Sequence, residues 1–305
     1  MGWPLRRNDP SQIMFATVRC VQGRLFLSPS ARTNDVLGGV LARAVRRFEV
    51  ELFAFTFASN HLHLLLRAPR GNISQFMQYL LSNTSKKVGA LVNWRGSFWE
   101  RRYSAEPVLD EGGVLDRLRY ILSHGVKEGL VRRCQEWPGL SCLPDLQGRT
   151  RRQFSWFDWT NRWKARSGKG VPDRFEARFA TKETLELSPL PLVRFARRSA
   201  WRRFLRRVLD AIHRQGRRDH PRVLGPATVL AQDPQYRPDR PKRTRRPWCH
   251  AASATLRETF KEKFLAFRVD FSGASALWRS GNLSVVFPEY AFRPFLRPGV
   301  ASSAA

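Results

Sequence analysis

The chain has 305 residues, 42% of them hydrophobic, which is enough for one or two cores and excludes disorder as the default reading. Lys and Arg number 54 against 25 Asp and Glu, a formal charge of +29 of which +20 falls in residues 151–305, and aromatic residues at 12% exclude a bare polybasic tail. The balance points to a polyanionic partner and excludes a membrane span, because no apolar run approaches the roughly 20 residues required.

The longest apolar-rich stretch, Leu52 to Leu66, is broken by Asn60, His61 and His63. The first 14 residues lack the apolar segment of a secretory signal, so the cytoplasm is the expected compartment. Cys20, Cys134, Cys142 and Cys249 form no CxxC pair and read as reduced thiols.

Taken in chain order, residues 13–21 are rich in β-branched and apolar side chains and predict a strand. Asn34 followed by Val36, Leu37, Val40, Leu41 and Val45 predicts a capped amphipathic helix. Residues 49–57 predict a second strand, and residues 61–67 a third that ends at the Pro69 to Gly71 break. Asn72 then caps a helix reaching to about Asn93, with Phe76, Leu80, Val88 and Leu91 on its apolar side. Residues 97–109 have strand character, with Pro107 suited to an edge, and residues 114–123 predict a short helix closed by Gly125.

The order β-α-β-β-α-β-α predicts an α+β, ferredoxin-like (RRM-like) domain over residues 12–135, with helices on one face of an antiparallel sheet. Residues 150–305 predict a basic, partly helical extension. It contains an aromatic-dense stretch at residues 154–159 and helices over residues 192–213 and 251–267. A flexible Pro/Arg-rich linker is expected at residues 235–246.

Side chains alternate faces along a strand, so His61 and His63 project together while Leu62, Leu64 and Leu66 project the other way. Two imidazoles so placed provide half a divalent metal site, and two partly buried histidines of no function would show the same spacing. Tyr120 and His124 are four residues apart and so neighbours on a helical surface. Val114, Leu115, Leu118, Ile121 and Leu122 form that helix's apolar stripe, and Tyr120 lies opposite, where either a reactive phenol or an ordinary exposed tyrosine would sit. If the stripe packed on the histidine face, Tyr120 would point away from the imidazoles, requiring another docking of the helix or action in a second subunit. Tyr79 and Tyr103 are the competing phenols.

Three blocks, Phe55 to Pro69 (FTFASNHLHLLLRAP), Phe98 to Tyr103 (FWERRY) and Arg119 to Val131 (RYILSHGVKEGLV), resemble single-tyrosine HUH transposases, most closely the REP-associated tyrosine transposases. The resemblance covers residues 13–145. It implies that His61 and His63 are metal ligands and that Tyr120 is the nucleophile. Four residues past the tyrosine the family usually has Asn or Gln completing the metal site, whereas this chain has His124, which reads either as a competent ligand that shifts preference from Mg²⁺ toward Mn²⁺ or softer ions, or as an incidental residue of a decayed site. The implied reaction is metal-dependent cleavage and rejoining of single-stranded DNA through a 5′-phosphotyrosine intermediate, at element ends that bear hairpins.

The implied partner is single-stranded or hairpin DNA in a bacterial nucleoid, with a homodimer as one possible assembly. Around the site Lys86, Lys87, Arg95, Arg101, Arg102 and Arg119 are candidate phosphate contacts, and Trp94, Trp99 and Tyr103 candidate stacking platforms. The arginines at 194, 197, 198, 202, 203, 206 and 207 would track a nucleic-acid backbone without reading sequence. Two alternatives are a domesticated, catalytically silent DNA-binding protein and an RNA-binding protein, the latter because RNA-recognition modules share this topology.

Overall fold

The structure is a computed structural model that describes residues 5–148, 151–166, 178–191, 197–239, 247–292 and 294. Arg194, the rest of residues 192–196, and residues 240–246 of the expected linker lie outside the described residues. The first half runs β1 (Ile13–Arg19), α1 (Ala31–Phe48), β2 (Glu51–Ala58), β3 (His61–Arg67), α2 (Ile73–Leu91), β4 (Ser104–Val108) and α3 (Glu111–Lys127). Then come α4 (Leu143–Leu146), β5 (Arg152–Phe157), α5 (Trp159–Arg166), β6 (Ala180–Leu185), α6 (Arg198–Asp219), α7 (Pro226–Leu230) and α8 (Ala254–Arg279). The ferredoxin-like α+β class expected from the element order is the one observed.

Several boundaries differ from expectation, among them the helices expected at 192–213 and 251–267, which run over Arg198–Asp219 and Ala254–Arg279; three others have a local reason. Helix α1 starts before Asn34 because Ser30 caps it, its Oγ accepting from the Thr33 N–H at 3.0 Å. Residues 97–103 form no strand of the sheet. Phe98 packs on Phe26 and the Trp99 indole donates to the Leu81 carbonyl; the segment keeps an isolated bridge from Trp99 to Cys20 and a bond from the Glu100 N–H to the Arg19 carbonyl, and the continuous ladder with β1 is confined to residues 104–108. Gly125 does not end α3. It lies inside the helix, where a Cβ would press on Trp137 and Val131 at 3.0 Å, and the turn comes at Gly129, whose φ is +68°.

The sheet order is β2-β3-β1-β4, all antiparallel. Thr17 lies opposite His63 on one side and Ser104 on the other, while Phe15 lies between Leu65 and Glu106. One face therefore carries Phe15, Thr17, His61 and His63, and the other carries Met14, Ala16, Leu62, Leu64 and Leu66, all five buried. Helices α1 and α2 pack together through Phe48 and Phe76, and Ile73 of α2 and Met14 are both buried in the core on the apolar face. Helix α3 crosses the opposite face. The free edge of β2 is closed by residues 140–142, with Phe57 N–H donating to Leu140 and Cys142 N–H to Phe55.

The second half wraps this unit. The β5–β6 ribbon lies on α1, where the Ser155 N–H donates to Asp35 at 2.9 Å and Glu183 is gripped by Arg43 at 2.6 Å and Arg46 at 3.1 Å. Burial raises the Glu183 carboxyl, and the Arg46 and Arg43 guanidiniums more than offset this, holding it below its usual range. Helix α6 packs on α3 with Gly216 against Val126. Residues 247–253 run beside β4, the His250 N–H donating to Pro107 at 2.8 Å. Asp110, the cap of α3, accepts from Gly113, Ala252 and Ser253.

The ribbon approaches α1 so closely that a Cβ at Gly39 would overlap the Ser155 carbonyl, a backbone atom held by strand pairing. Gly39→Ala is therefore expected to lower stability by about 1–3 kcal/mol, as overpacking does, measured by urea denaturation. An unchanged midpoint would mean that the ribbon is not docked there.

Candidate metal and nucleophile site

Strand β3 sits inside the sheet, so its alternation delivers His61 and His63 to one surface with their backbone fixed on both sides. On α3, Asp110 sets the start of the helix, and Tyr120 and His124 follow one turn apart. The two elements meet within one chain. Ring centroids lie 4.8 Å apart for His61 and His63, 4.5 Å for His61 and His124, and 5.3 Å for His63 and His124. Tyr120 completes the group, 5.1 Å from His63 and 6.2 Å from His124.

The apolar stripe of α3 does not turn Tyr120 away. Ile121 and Leu122 face Thr56 of β2 and Trp137, and α6 covers Val126 from outside. The helix is thus enclosed on several sides, and its Tyr120–His124 edge is the one aimed at β3 and β1. Of the competing phenols, Tyr79 packs on Phe48 and Trp156, and Tyr103 is buried under the Arg6 guanidinium, 3.5 Å from its ring centre.

Among the described residues the three histidines are the one His/Cys/Asp/Glu group suited to a metal ion, with one ligand atom of each within 4.8 Å of the others. The local hydrogen bonds fit that use. His61 Nδ1 lies 2.6 Å from the Asn60 side-chain oxygen, which only accepts, so Nδ1 carries the hydrogen and Nε2 presents its lone pair. His63 Nδ1 bonds Thr17 Oγ1 at 2.8 Å, and its Nε2 is buried with no hydrogen-bond partner among the described residues. A ring fixed at one nitrogen and bare at the other is the arrangement of a ligating imidazole. Burial pushes both rings well below the ordinary histidine range. The neighbouring His124 and Arg19 act the same way on His61, as do His61, His124, Arg117 and Lys127 on His63. Neutral imidazoles are the ligating form.

Several neighbours were not singled out by the sequence pattern. Phe15 stacks on His63 at 5.2 Å and meets Tyr120 edge-on at 5.9 Å. Lys127 and Arg117 lie over the Tyr120 ring at 4.5 and 5.1 Å. His250 meets Phe15 at 5.3 Å, its Nε2 3.9 Å from the buried Glu106 carboxylate. Lys127 had a readable signal, lying one turn beyond His124 on the same helical edge. Thr17 and Phe15 depend on strand register, and His250 on a contact across more than a hundred residues.

The expected DNA contacts divide in two. Lys86, Arg95, Arg101, Arg102 and Arg119 are exposed, and Lys86, Trp94 and Trp99 line one shallow surface groove. Lys87 and Tyr103 are engaged within the chain. Lys87 donates to the Phe157 carbonyl at 2.6 Å and lies 4.1 Å from the Trp156 ring, and Tyr103 has one face covered by Arg6.

The sheet thus carries paired histidines on a central strand, and the following helix brings a tyrosine and a third candidate ligand to them. Residues 11–124 match the family model described as Transposase IS200 like. Among solved structures, a REP-associated tyrosine transposase bound to a REP hairpin is similar at 18% identity over 49% of this chain and 87% of that one, with a TM-score of 0.43. A candidate transposase from Deinococcus radiodurans R1 is similar at 19% identity over 39% of this chain and 95% of that one, with a TM-score of 0.29. No curated protein matches the chain. Among the described residues no helix is long and apolar enough to cross a membrane.

Two outcomes follow from this geometry. Thr17→Val, which keeps shape but removes the hydroxyl that fixes His63, is expected to weaken Mn²⁺ binding about 10- to 100-fold in calorimetry with the fold intact. Unaltered affinity would separate Thr17 from the metal site. Burial, with a smaller push from Arg43 and against the pull of Asp158, holds the Lys87 amine down to about 8. The unfolded chain, near 10.4, then binds more protons between those values, so stability should rise with pH across that window. Lys87→Met should lose that alkaline rise in melting temperature, and a slope equal to the parent's would show that the amine titrates normally.

Proposed function

We propose that the chain is a metal-dependent transposase and endonuclease that cuts and rejoins single-stranded DNA through Tyr120. The observation that carries this reading is the meeting, within one chain, of the Tyr120 ring with His63 at 5.1 Å beside three imidazoles whose ligand atoms lie within 4.8 Å. His61, His63 and His124 would hold a divalent cation, Mg²⁺ or Mn²⁺. Such an ion, when bound, polarises a phosphate oxygen and offsets charge in the transition state.

The chain's own residues do the rest. The Tyr120 oxygen attacks phosphorus and loses its proton, the bond from phosphorus to the 3′ oxygen breaks, and a 5′-phosphotyrosine and a free 3′-OH result. Lys127 and Arg117, at the ring of Tyr120, offset the negative charge that gathers on phenol and phosphate as the new bond forms. The covalent link keeps the bond energy, so a 3′-OH can reverse the attack and join strands. Residues 12–135 are the catalytic domain in this reading, and residues 150–305 a basic extension that braces it. Hairpin-bearing element ends are the substrate implied by the sequence resemblance. The exposed arginines on α6, including Arg202, Arg203, Arg206 and Arg207, are suited to following phosphates close to the nucleophile's helix.

The test is incubation of the protein with labelled hairpin DNA and Mn²⁺ or Mg²⁺, followed by denaturing electrophoresis. A denaturation-resistant adduct is expected for the parent protein and absent for Tyr120→Phe, with His63→Ala strongly reduced. Binding of the same hairpins without any adduct in the parent would replace this reading with that of a catalytically silent DNA-binding protein.

A further inference from the structure

A cleft of about 720 Å³ lies between strand β4 and helix α8, lined by none of the three histidines and built in part by residues beyond the 11–124 match. Its volume falls in the range of about 300–1,000 Å³ typical of sites for small ligands or single residues of a polymer. One wall is aromatic. Along α8, Phe260 stacks on Phe264 at 5.8 Å and 15°, and Trp248, 43% exposed, meets Phe264 edge-on at 5.6 Å.

The rim is basic, with Arg7, Arg102, Arg268 and Arg279 exposed around it and Asp9 and Glu106 as the lining acids. Ser275 lines the cleft with its Oγ buried and without a hydrogen-bond partner among the described residues. Aromatic faces beside a line of arginines suit bases that are unstacked and phosphates that run past them. The cleft also adjoins the proposed centre. Glu106 on its wall pairs across β1 with Phe15, whose ring stacks on His63 and touches Tyr120.

We propose that the β4–α8 cleft binds an unpaired segment of single-stranded DNA, the bases against the α8 aromatics and the phosphates on the arginine rim. The proposal rests on the reading of the chain as a DNA-processing protein, but binding needs neither metal nor cleavage, so the two are tested apart. The experiment measures anisotropy of fluorescein-labelled (dT)12 with full-length Tyr120→Phe protein in EDTA.

The double variant Arg268→Glu/Arg279→Glu, altered at exposed positions, is expected to bind about tenfold or more weakly at moderate salt. The slope of log affinity against log salt should also fall by about 1.4, roughly 0.7 for each phosphate that an arginine no longer neutralises. Irradiated (dT)12 carrying 5-bromodeoxyuridine should cross-link to Trp248 or Phe264, mapped by peptide mass spectrometry. Equal affinity and slope in the double variant, or cross-links confined to peptides outside the cleft, would overturn the proposal, as would a labelled (Glu)12 peptide binding as tightly as (dT)12 and equally sensitive to the variant, which would make this a site for acidic peptides. Weakened (dT)12 binding in the variant together with no hairpin adduct in the parent would leave the cleft standing and remove the cleavage reading; an adduct with unaltered (dT)12 binding would do the reverse.

Discussion

Two side chains two residues apart on β3 must be met by two side chains four residues apart on α3, and the rest of the structure arranges that encounter. A strand spaces His61 and His63 on one face, and a helix spaces Tyr120 and His124 on one edge, so each pair is locally determined. Their meeting is not. It requires α3 to lie over the histidine face with that edge inward, and an amphipathic helix ordinarily turns its apolar stripe toward a sheet.

The conflict is resolved by giving the stripe other partners. Thr56, Trp137 and residues 140–142 stand on the β2 side, and Val126 receives Gly216 of α6. The second half of the chain therefore bears on the geometry of the site in the first. Asp110 expresses the same dependence at the start of α3. Burial raises its carboxyl, while N–H donors from Ser253, Ala252 and Gly113 more than offset this and hold it low. One carboxylate thus caps the helix and ties down the returning chain.

Placing polar rings in a buried setting costs free energy unless each is satisfied. Asn60 and Thr17 each satisfy one ring nitrogen, of His61 and His63 respectively, while the His63 Nε2 is buried without a partner among the described residues. Burial and nearby cations keep both rings neutral, the state in which imidazole offers a lone pair. The +29 charge is a separate feature, and +20 of it lies in residues 151–305, the half of the chain that packs around this unit.

The sequence by itself determined what short-range rules govern. Strand alternation puts two histidines together, helical spacing pairs Tyr120 with His124, and the element order defines a split βαβ sheet. Local chemistry was misread where neighbours overrode it: Gly125 is a packing glycine inside α3, and residues 97–103 meet the end of β1 through a single bridge at Trp99 and a bond from Glu100 rather than as a continuous strand. Tertiary structure alone decided that Tyr120 faces the imidazoles in the same chain, that Thr17 and Phe15 support them, that Lys87 and Tyr103 are already occupied, and that His250 returns beside β4. These depend on register and on contacts between residues far apart along the chain, which no local periodicity encodes.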